Sequence, residues 1–269
     1  MQDEVASEAA SADGLGVQRQ GGVLRLTLDR PGRRNALNGP LVRALLREIE
    51  GVVADPEVQV VVLAASGSHF CAGADLGGDA AQADGFFAQH ADRALFARLL
   101  QRIVESPVPV IAAVSGDALG GGAGLVLACQ LVVMAEGARL HTPELKLGLF
   151  PWMIAPVLAR KLPRNQLNEL ILCGGRLDAP RALALGLANR VAPAEQVLDQ
   201  ALELAQAVAA HSPLVVRMGM QALAQIEGMP LSAALAHMHA QLSLNLLTED
   251  AAEGISAFAS KRSPTWKGR

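Results

Sequence analysis

The 269-residue chain predicts an α/β fold, and three observations carry that expectation. Short apolar, β-branched runs alternate with helical patterns as far as Val191, the order expected of an α/β architecture. Midway, a strand-like run (Val108 to Val114) enters a turn holding Gly116, Gly120, Gly121, Gly122 and Gly124, leaves it as an apolar helix, and is followed by a second strand, Leu131 to Ala135. From Ala194 to the end the alternation stops and the pattern is almost wholly helical.

Taken in order, residues 1–16 are a polar, Ala/Ser-rich leader of disordered character. Val23 to Leu28 alternates, with Leu24, Leu26 and Leu28 on one face, and reads as a strand. A basic loop, Arg30 to Arg34, ends it. Asn38 suits an N-cap, with Pro40 in the first turn of a helix carrying Leu41, Leu45, Ile49 and Val52 at helical spacing. Val58 to Leu63 is continuously apolar, as a buried strand should be. Ser66 to Leu76 is a loop of small residues at its centre, and Gly77 to Gly85 has little pattern and is expected to be mobile. Leu95, Leu99 and Ile103 mark a helix over Phe86 to Glu105, closed by Pro107 and Pro109. Helical patterns return from Ile154 to Cys173 and from Ala179 to Leu185, with a short strand at Leu187 to Val191. Helices over 194–210, 213–227 and 230–247 complete the chain. No internal repeat is present.

Composition narrows the function. With 51% apolar residues the chain can bury a sizeable core. A formal net charge of −3 gives no global basic field for nucleic acid or an anionic membrane. The 3 cysteines (Cys71, Cys129, Cys173) are odd in number and scattered, which excludes a disulfide scaffold or zinc knuckle and fits a reducing, cytoplasmic compartment. The N-terminus lacks an apolar core of the kind a secretory signal needs. Val108 to Ala135 carries only Asp117 as a charge, yet its glycines and β-branched ends argue for a buried unit rather than a membrane span.

Several chemistries fail on spacing. A dinucleotide-binding G-x-G-x-x-G started at Gly120 or Gly122 places its third glycine on Leu125 or Leu127, and the turn does not follow its strand directly. No phosphate-binding G-x-x-x-x-G-K-[ST] and no serine-hydrolase G-x-S-x-G occurs. His237 and His239, two apart on a helix, face different ways and cannot share a metal.

Two small-residue loops remain, each after a strand: Ala72-Gly73-Ala74-Asp75-Leu76 and Ala118-Leu119-Gly120-Gly121-Gly122. If the strands are neighbours, one backbone N–H from each loop can converge on a single oxygen and stabilise a thioester enolate. Equally, both loops can be tight turns that permit close packing. Spacing alone leaves both readings open.

The ordered set FCAGADL (Phe70 to Leu76), PVIAAVSGDALGGGAGLVLACQLVVMA and TPELKLGLFP (Thr142 to Pro151) resembles the crotonase family, the enoyl-CoA hydratase/isomerase superfamily. NALN (Asn35 to Asn38) and EGISAFASKR (Glu253 to Arg262) extend the likeness over residues 18 to 265. The resemblance implies a spiral core of ββα turns over 17–193, and a helical region over 194–269 that serves trimerisation and lids the coenzyme A pocket. It implies a homotrimer or dimer of trimers acting on an acyl-CoA substrate, with no metal and no cofactor beyond the substrate's own coenzyme A. The oxyanion-hole amides would be those of Ala74 and Gly121, with Gly120 beside them. Ala72, Asp75, Leu76, Arg33, Arg34 and Ala36 would line the coenzyme A path, and Phe258 and Lys261 would reach it from the C-terminus.

This chain departs from the family's pattern in its acids. Hydratases of the family carry one glutamate just after the GGG turn, where this chain has Gly124, and one in the P-E turn, present here as Glu144. Without the resemblance Glu144 reads as a helix-start carboxylate; with it, as the acid/base. Asp117 is the other loop acid, a second candidate against the ordinary reading of a solvated carboxylate. Trp152 and Met153 replace the family's small residues and suggest an apolar pocket at the acyl end, or core. One base suffices to move a double bond from position 3 to 2, so the pattern favours isomerisation. Hydration by Glu144 and water, thioester hydrolysis, decarboxylation, or silent acyl-CoA binding are the alternatives.

Overall fold

The computed structural model describes residues 13–75 and 85–269. A hairpin opens it: β1 (Leu15–Gln20) and β2 (Val23–Leu28) pair antiparallel across Gly21 and Gly22, both at positive φ, which suits a two-residue turn between strands. The expected leader over 1–16 is therefore too long at its end, since Leu15 is buried in a strand. Residues 1–12 lie outside the described residues. Polar β1 escapes a hydrophobicity pattern because only Leu15 of its six residues is buried.

Three turns of the same construction follow. Each contributes one strand to a six-stranded sheet, one short strand to a four-stranded sheet, and then a helix. The first turn is β3 (Val60–Ala65), β4 (His69–Cys71) and α2 (Gly85–Val104), preceded by α1 (Gly39–Gly51). The second is β5 (Val110–Val114), β6 (Asp117–Leu119) and α3 (Gly121–Ala128). The third is β7 (Leu131–Ala135), β8 (Arg139–His141) and the pair α4 (Ala155–Lys161) and α5 (Arg164–Leu172). Then come β9 (Arg176–Asp178), α6 (Ala179–Ala184) and β10 (Arg190–Ala192). The large sheet runs β1-β2-β3-β5-β7-β10 and is parallel from β2 onward. In the small sheet, β4-β6-β8-β9, the first three strands are parallel and β9 antiparallel.

Residues of β3, β5 and β7 are almost all buried, as their unbroken apolar runs require. Asn38 accepts from the Leu41 amide and caps α1 with Pro40 in its first turn, as expected. The helical run from Ile154 splits at Leu162–Pro163, where proline cannot continue α4 and instead opens α5.

The C-terminal region is helical: α7 (Val197–Ala209), α8 (Pro213–Ile226), α9 (Leu231–Asn245) and α10 (Glu249–Ala259). Here α7 covers the large sheet, while α9 packs on α8 and none of its residues is buried. Arg217 of α8 donates to the carbonyls of Val52, Asp55 and Val58 and ties this region to the loop before β3. Among the described residues no helix is long and apolar enough to cross a membrane.

Candidate active site

The small sheet places the site. Its three parallel strands β4, β6 and β8 end side by side, and their C-terminal ends release Ala72–Asp75, Gly120–Gly121 and Thr142–Glu144. Each strand has three residues, too few to show a period, so the sequence pattern cannot reveal the sheet on which the three motifs converge.

Contact between the first two loops is at backbone distance. Gly73 has φ +85°, and a β-carbon there would stand 2.9 Å from the Leu119 carbonyl oxygen and 3.4 Å from the Gly121 nitrogen. A β-carbon at Gly122 would fall 2.5 Å from the Cys71 oxygen. Close packing is thus a sufficient reason for glycine at 73 and 122. It does not account for the amides that remain. Leu37 donates to the Gly73 carbonyl at 2.7 Å and accepts from Asp75 at 2.9 Å, so in this parallel bridge the Ala74 N–H turns to the other side. Gly121 is the first residue of α3, where no intrahelical acceptor exists. Among the described residues neither amide has an acceptor. Two N–H donors from adjoining loops, one of them at a helix N-terminus, can hold a developing oxyanion.

The third strand brings the carboxylate. The Gly120 N–H donates to the His141 carbonyl at 2.8 Å, extending the β6–β8 ladder by one rung. Glu144 opens a short 3-10 helix, Glu144–Leu147, directly after Pro143. Its Oε1 lies 2.9 Å from where a β-carbon on Gly120 would be, and Gly120 itself is at φ +49°. Among the described residues, its Oε2 is buried with no hydrogen-bond partner. Burial pushes the Glu144 carboxyl above its ordinary range, opposed by a hydrogen bond from its own backbone N–H. Thr142 Oγ1 donates to the Leu170 carbonyl at 2.8 Å and fastens this turn to α5. A half-buried, unpartnered carboxylate beside free amides is suited to proton transfer.

Where a second acid could have stood, the space is full. A β-carbon on Gly124 would lie 2.3 Å from Ile154 Cγ2 and 3.0 Å from its Cβ. Asp117 does not substitute: it sits at the opposite end of β6, and its Oδ1 accepts from the Arg139 amide at 2.9 Å.

The remaining expected residues divide. Ala72 donates to the Arg34 carbonyl at 2.9 Å, so the loop with Arg33, Arg34 and Ala36 does run beside Ala72 and Asp75. Both arginines are exposed and Ala36 is buried. The Asp75 carboxylate is engaged by Arg30 Nη2 at 3.1 Å, and Arg30 also donates to the Ala36 carbonyl, so Asp75 clamps the two loops together. Leu76 and residues 77–84 lie outside the described residues. Trp152 does not line an enclosed pocket of this chain: it is 72% exposed, its ring 4.8 Å from that of Phe150, and Ile154 is the side chain that turns inward to α3. Phe258 is 88% exposed, Lys261 is exposed too, and α10 packs on α8, so within one chain these two are not joined to the loops.

Three residues were not legible as site residues: Arg30, Asn35 and Ile154. Asn35 is fully buried at φ +54°, accepts from the Arg30 amide and donates to the Ser66 and His69 carbonyls at 2.8 Å each. Its signal was present in NALN, since asparagine tolerates the left-handed region. Ile154 left none, because two helices far apart in sequence meet there.

Fold and site together define a class. Residues 18–269 match the family model described as Enoyl-CoA hydratase/isomerase, and the chain belongs to that family, whose substrates are acyl-CoA thioesters. It is 39% identical to 2,3-dehydroadipyl-CoA hydratase of Escherichia coli over 94% of this chain and 98% of that one. A putative enoyl-CoA hydratase of Thermus thermophilus is 38% identical over 91% of this chain and 97% of its own. The crystal structure of an enoyl-CoA hydratase from Mycobacterium smegmatis superposes with a TM-score of 0.90 at 32% identity, covering 94% of this chain and 98% of that one. The α/β spiral with its helical C-terminal region is thus the family's fold.

Proposed function

We propose that the protein transfers a proton within an unsaturated acyl-CoA thioester, shifting a 3-enoyl to a 2-enoyl double bond with Glu144 as the only base. One observation carries this reading: Glu144 is half-buried against Gly120, and the place for a second carboxylate at position 124 is filled. In this reading the Ala74 and Gly121 amides hold the thioester oxygen. Glu144 takes a proton from C2, the electron pair spreads into a dienolate, and the same carboxyl returns the proton to C4. No water is consumed, so no second acid is needed. Arg33, Arg34 and the exposed Lys261 suit the phosphates of coenzyme A.

A second reading is 2-enoyl-CoA hydration, with Glu144 orienting a water that supplies both its hydroxyl and its proton. The relatives named as hydratases favour it.

The C-terminal region from Ala194 serves assembly in this proposal, as a trimer or dimer of trimers, and its end lids the coenzyme A pocket. Support comes from α9, which leaves Leu231, Leu235 and Leu242 exposed and buries no residue of its own.

The test is a side-by-side assay of 3-enoyl-CoA isomerisation and 2-enoyl-CoA hydration with wild type and Glu144→Gln. Isomerisation is expected in wild type and lost in the variant. Equal rates from both proteins would remove Glu144 from the chemistry, and hydration as the faster reaction would select the second reading.

A further inference from the structure

We infer that Ile154 determines which reaction the site performs, because its side chain occupies the volume in which a second carboxylate would stand beside Glu144. The inference rests on the proposed single-base reading and names the residue that enforces it.

Position 124 is one turn along α3 from Gly120, and the Gly124 amide donates to the Gly120 carbonyl at 3.0 Å. Gly120 caps α3 and Gly124 lies one turn in, so a side chain at 124 would stand within a turn of the residue against which Glu144 rests. That is where a second acid could reach a water near the acyl chain. A β-carbon there meets Ile154 Cγ2 at 2.3 Å and Ile154 Cβ at 3.0 Å, with Leu100 Cδ2 behind at 3.8 Å.

Ile154 cannot easily withdraw. It is 2% exposed and forms the N-terminal boundary of α4, where its carbonyl accepts from the Val157 and Leu158 amides. Its own amide donates to the Pro151 carbonyl at 3.2 Å. A β-branched side chain on a fixed backbone has few rotamers to retreat into.

Hydration adds the oxygen of water to C3 and one of its protons to C2, while the other proton stays on the new hydroxyl. Two carboxylates facing the acyl chain could hold that water and relay the proton; Ile154 leaves room for one.

The experiment has two arms. In the first, thermal stability is compared for Gly124→Ala in wild type and in Ile154→Ala and Ile154→Gly backgrounds. Gly124→Ala should lower Tm with Ile154 present, and the loss should shrink or reverse once Ile154 is cut back. An equal loss in all three backgrounds overturns the inference, as does no loss in wild type. In the second arm, the ratio of 2-enoyl-CoA hydration to 3-enoyl-CoA isomerisation is measured for Gly124→Glu, with and without Ile154→Gly. Adding general acid–base help should raise that ratio by on the order of a hundredfold in the double variant only. A folded double variant with the wild-type ratio overturns the inference, and so does Gly124→Glu alone performing as well as the double. A double variant that does not fold, with Gly124→Glu no better tolerated than beside intact Ile154, overturns it too. Turnover by wild type that survives Glu144→Gln counts instead against the single-base reading, and the stability arm still judges Ile154.

Discussion

Glu144 rests on Gly120. A β-carbon at position 120 would lie 2.9 Å from Glu144 Oε1 and 3.5 Å from its carboxyl carbon, and the Gly120 amide is bonded to the carbonyl of His141, three residues before the glutamate. The turn that presents a free N–H at Gly121 therefore also sets the position of the carboxylate. The amide and the carboxylate proposed for oxyanion binding and proton transfer thus share one support.

Gly120→Ala should consequently damage both. The residue sits at φ +49° and ψ −118°, a backbone conformation that costs an L side chain on the order of 1–3 kcal/mol. The added methyl would also press on the carboxylate. A fall in Tm is expected together with a drop in kcat larger than the change in KM. A variant with wild-type kcat would show that the carboxylate has freedom to move aside.

Gly121→Pro isolates the amide. Proline is tolerated at the first position of a helix, so α3 should survive while its first N–H is lost. Losing one oxyanion donor typically lowers kcat about 10²–10³-fold. Gly121→Ala, which keeps the N–H and must only displace Leu37 Cδ1 at 3.1 Å and Phe96 Cζ at 3.3 Å, is the control. Equal activities of the two folded variants would remove Gly121 from the oxyanion role.

Glu144 should titrate visibly. Burial raises its carboxyl above the ordinary range, with its own backbone N–H partly opposing. In the proposed chemistry Glu144 acts ionised, so the acidic limb of kcat/KM should lie above the ordinary glutamate range, turnover falling as pH drops through it. Stability runs the other way. For a carboxyl raised on folding, the associated stability is full below the unfolded-state pKa and is lost as pH rises through the folded-state value. Glu144→Gln should therefore be at least as stable as wild type at neutral pH while losing about 10²–10⁴-fold in rate. A variant less stable at neutral pH would mark Glu144 as a structural group, and melting curves across pH settle it.

The long strands of the large sheet were legible because buried parallel strands are continuous apolar runs, and α1 because Asn38 and Pro40 mark its start. The four-stranded sheet was not, since β4, β6, β8 and β9 have three residues each and no period can show in three. The motifs at their ends were nevertheless readable: glycines at 73, 120 and 121 and a Pro-Glu step at 143–144. What the sequence could not show is which residues meet from distant segments. Arg30 with Asp75 and Ile154 with Gly124 are such pairs, and each changes the meaning of a residue already noticed.

Assembly is the next expectation. A helix such as α9, with Leu231 at 74% and Leu235 at 61% exposure and no buried residue, sets large apolar side chains in water, as an interaction surface does. Light scattering should give a trimer or a dimer of trimers, and Leu235→Glu with Leu242→Glu should shift the mass toward a single chain without unfolding α1–α3. A monomer at working concentration in the unaltered protein would refute this.

Arg30 is the residue whose loss should separate loop order from chemistry. Its guanidinium binds Asp75 Oδ2 at 3.1 Å, with side chains only 19% and 8% exposed, and also donates to the Ala36 carbonyl. Arg30→Met leaves a nearly buried carboxylate unpaired, a change that costs about 3–5 kcal/mol when a buried ion pair is broken from one side. Asp75 follows Ala74 directly, so slack here should move the Ala74 amide and lower kcat in the folded fraction. Restoring neutrality with Arg30→Met/Asp75→Leu should recover most of the stability, because no buried charge then stands alone, yet only part of the rate, because the loop-to-loop clamp is gone. Full recovery of both would mean that Arg30 serves stability alone and that the Ala74 amide is held by its bridge to Leu37.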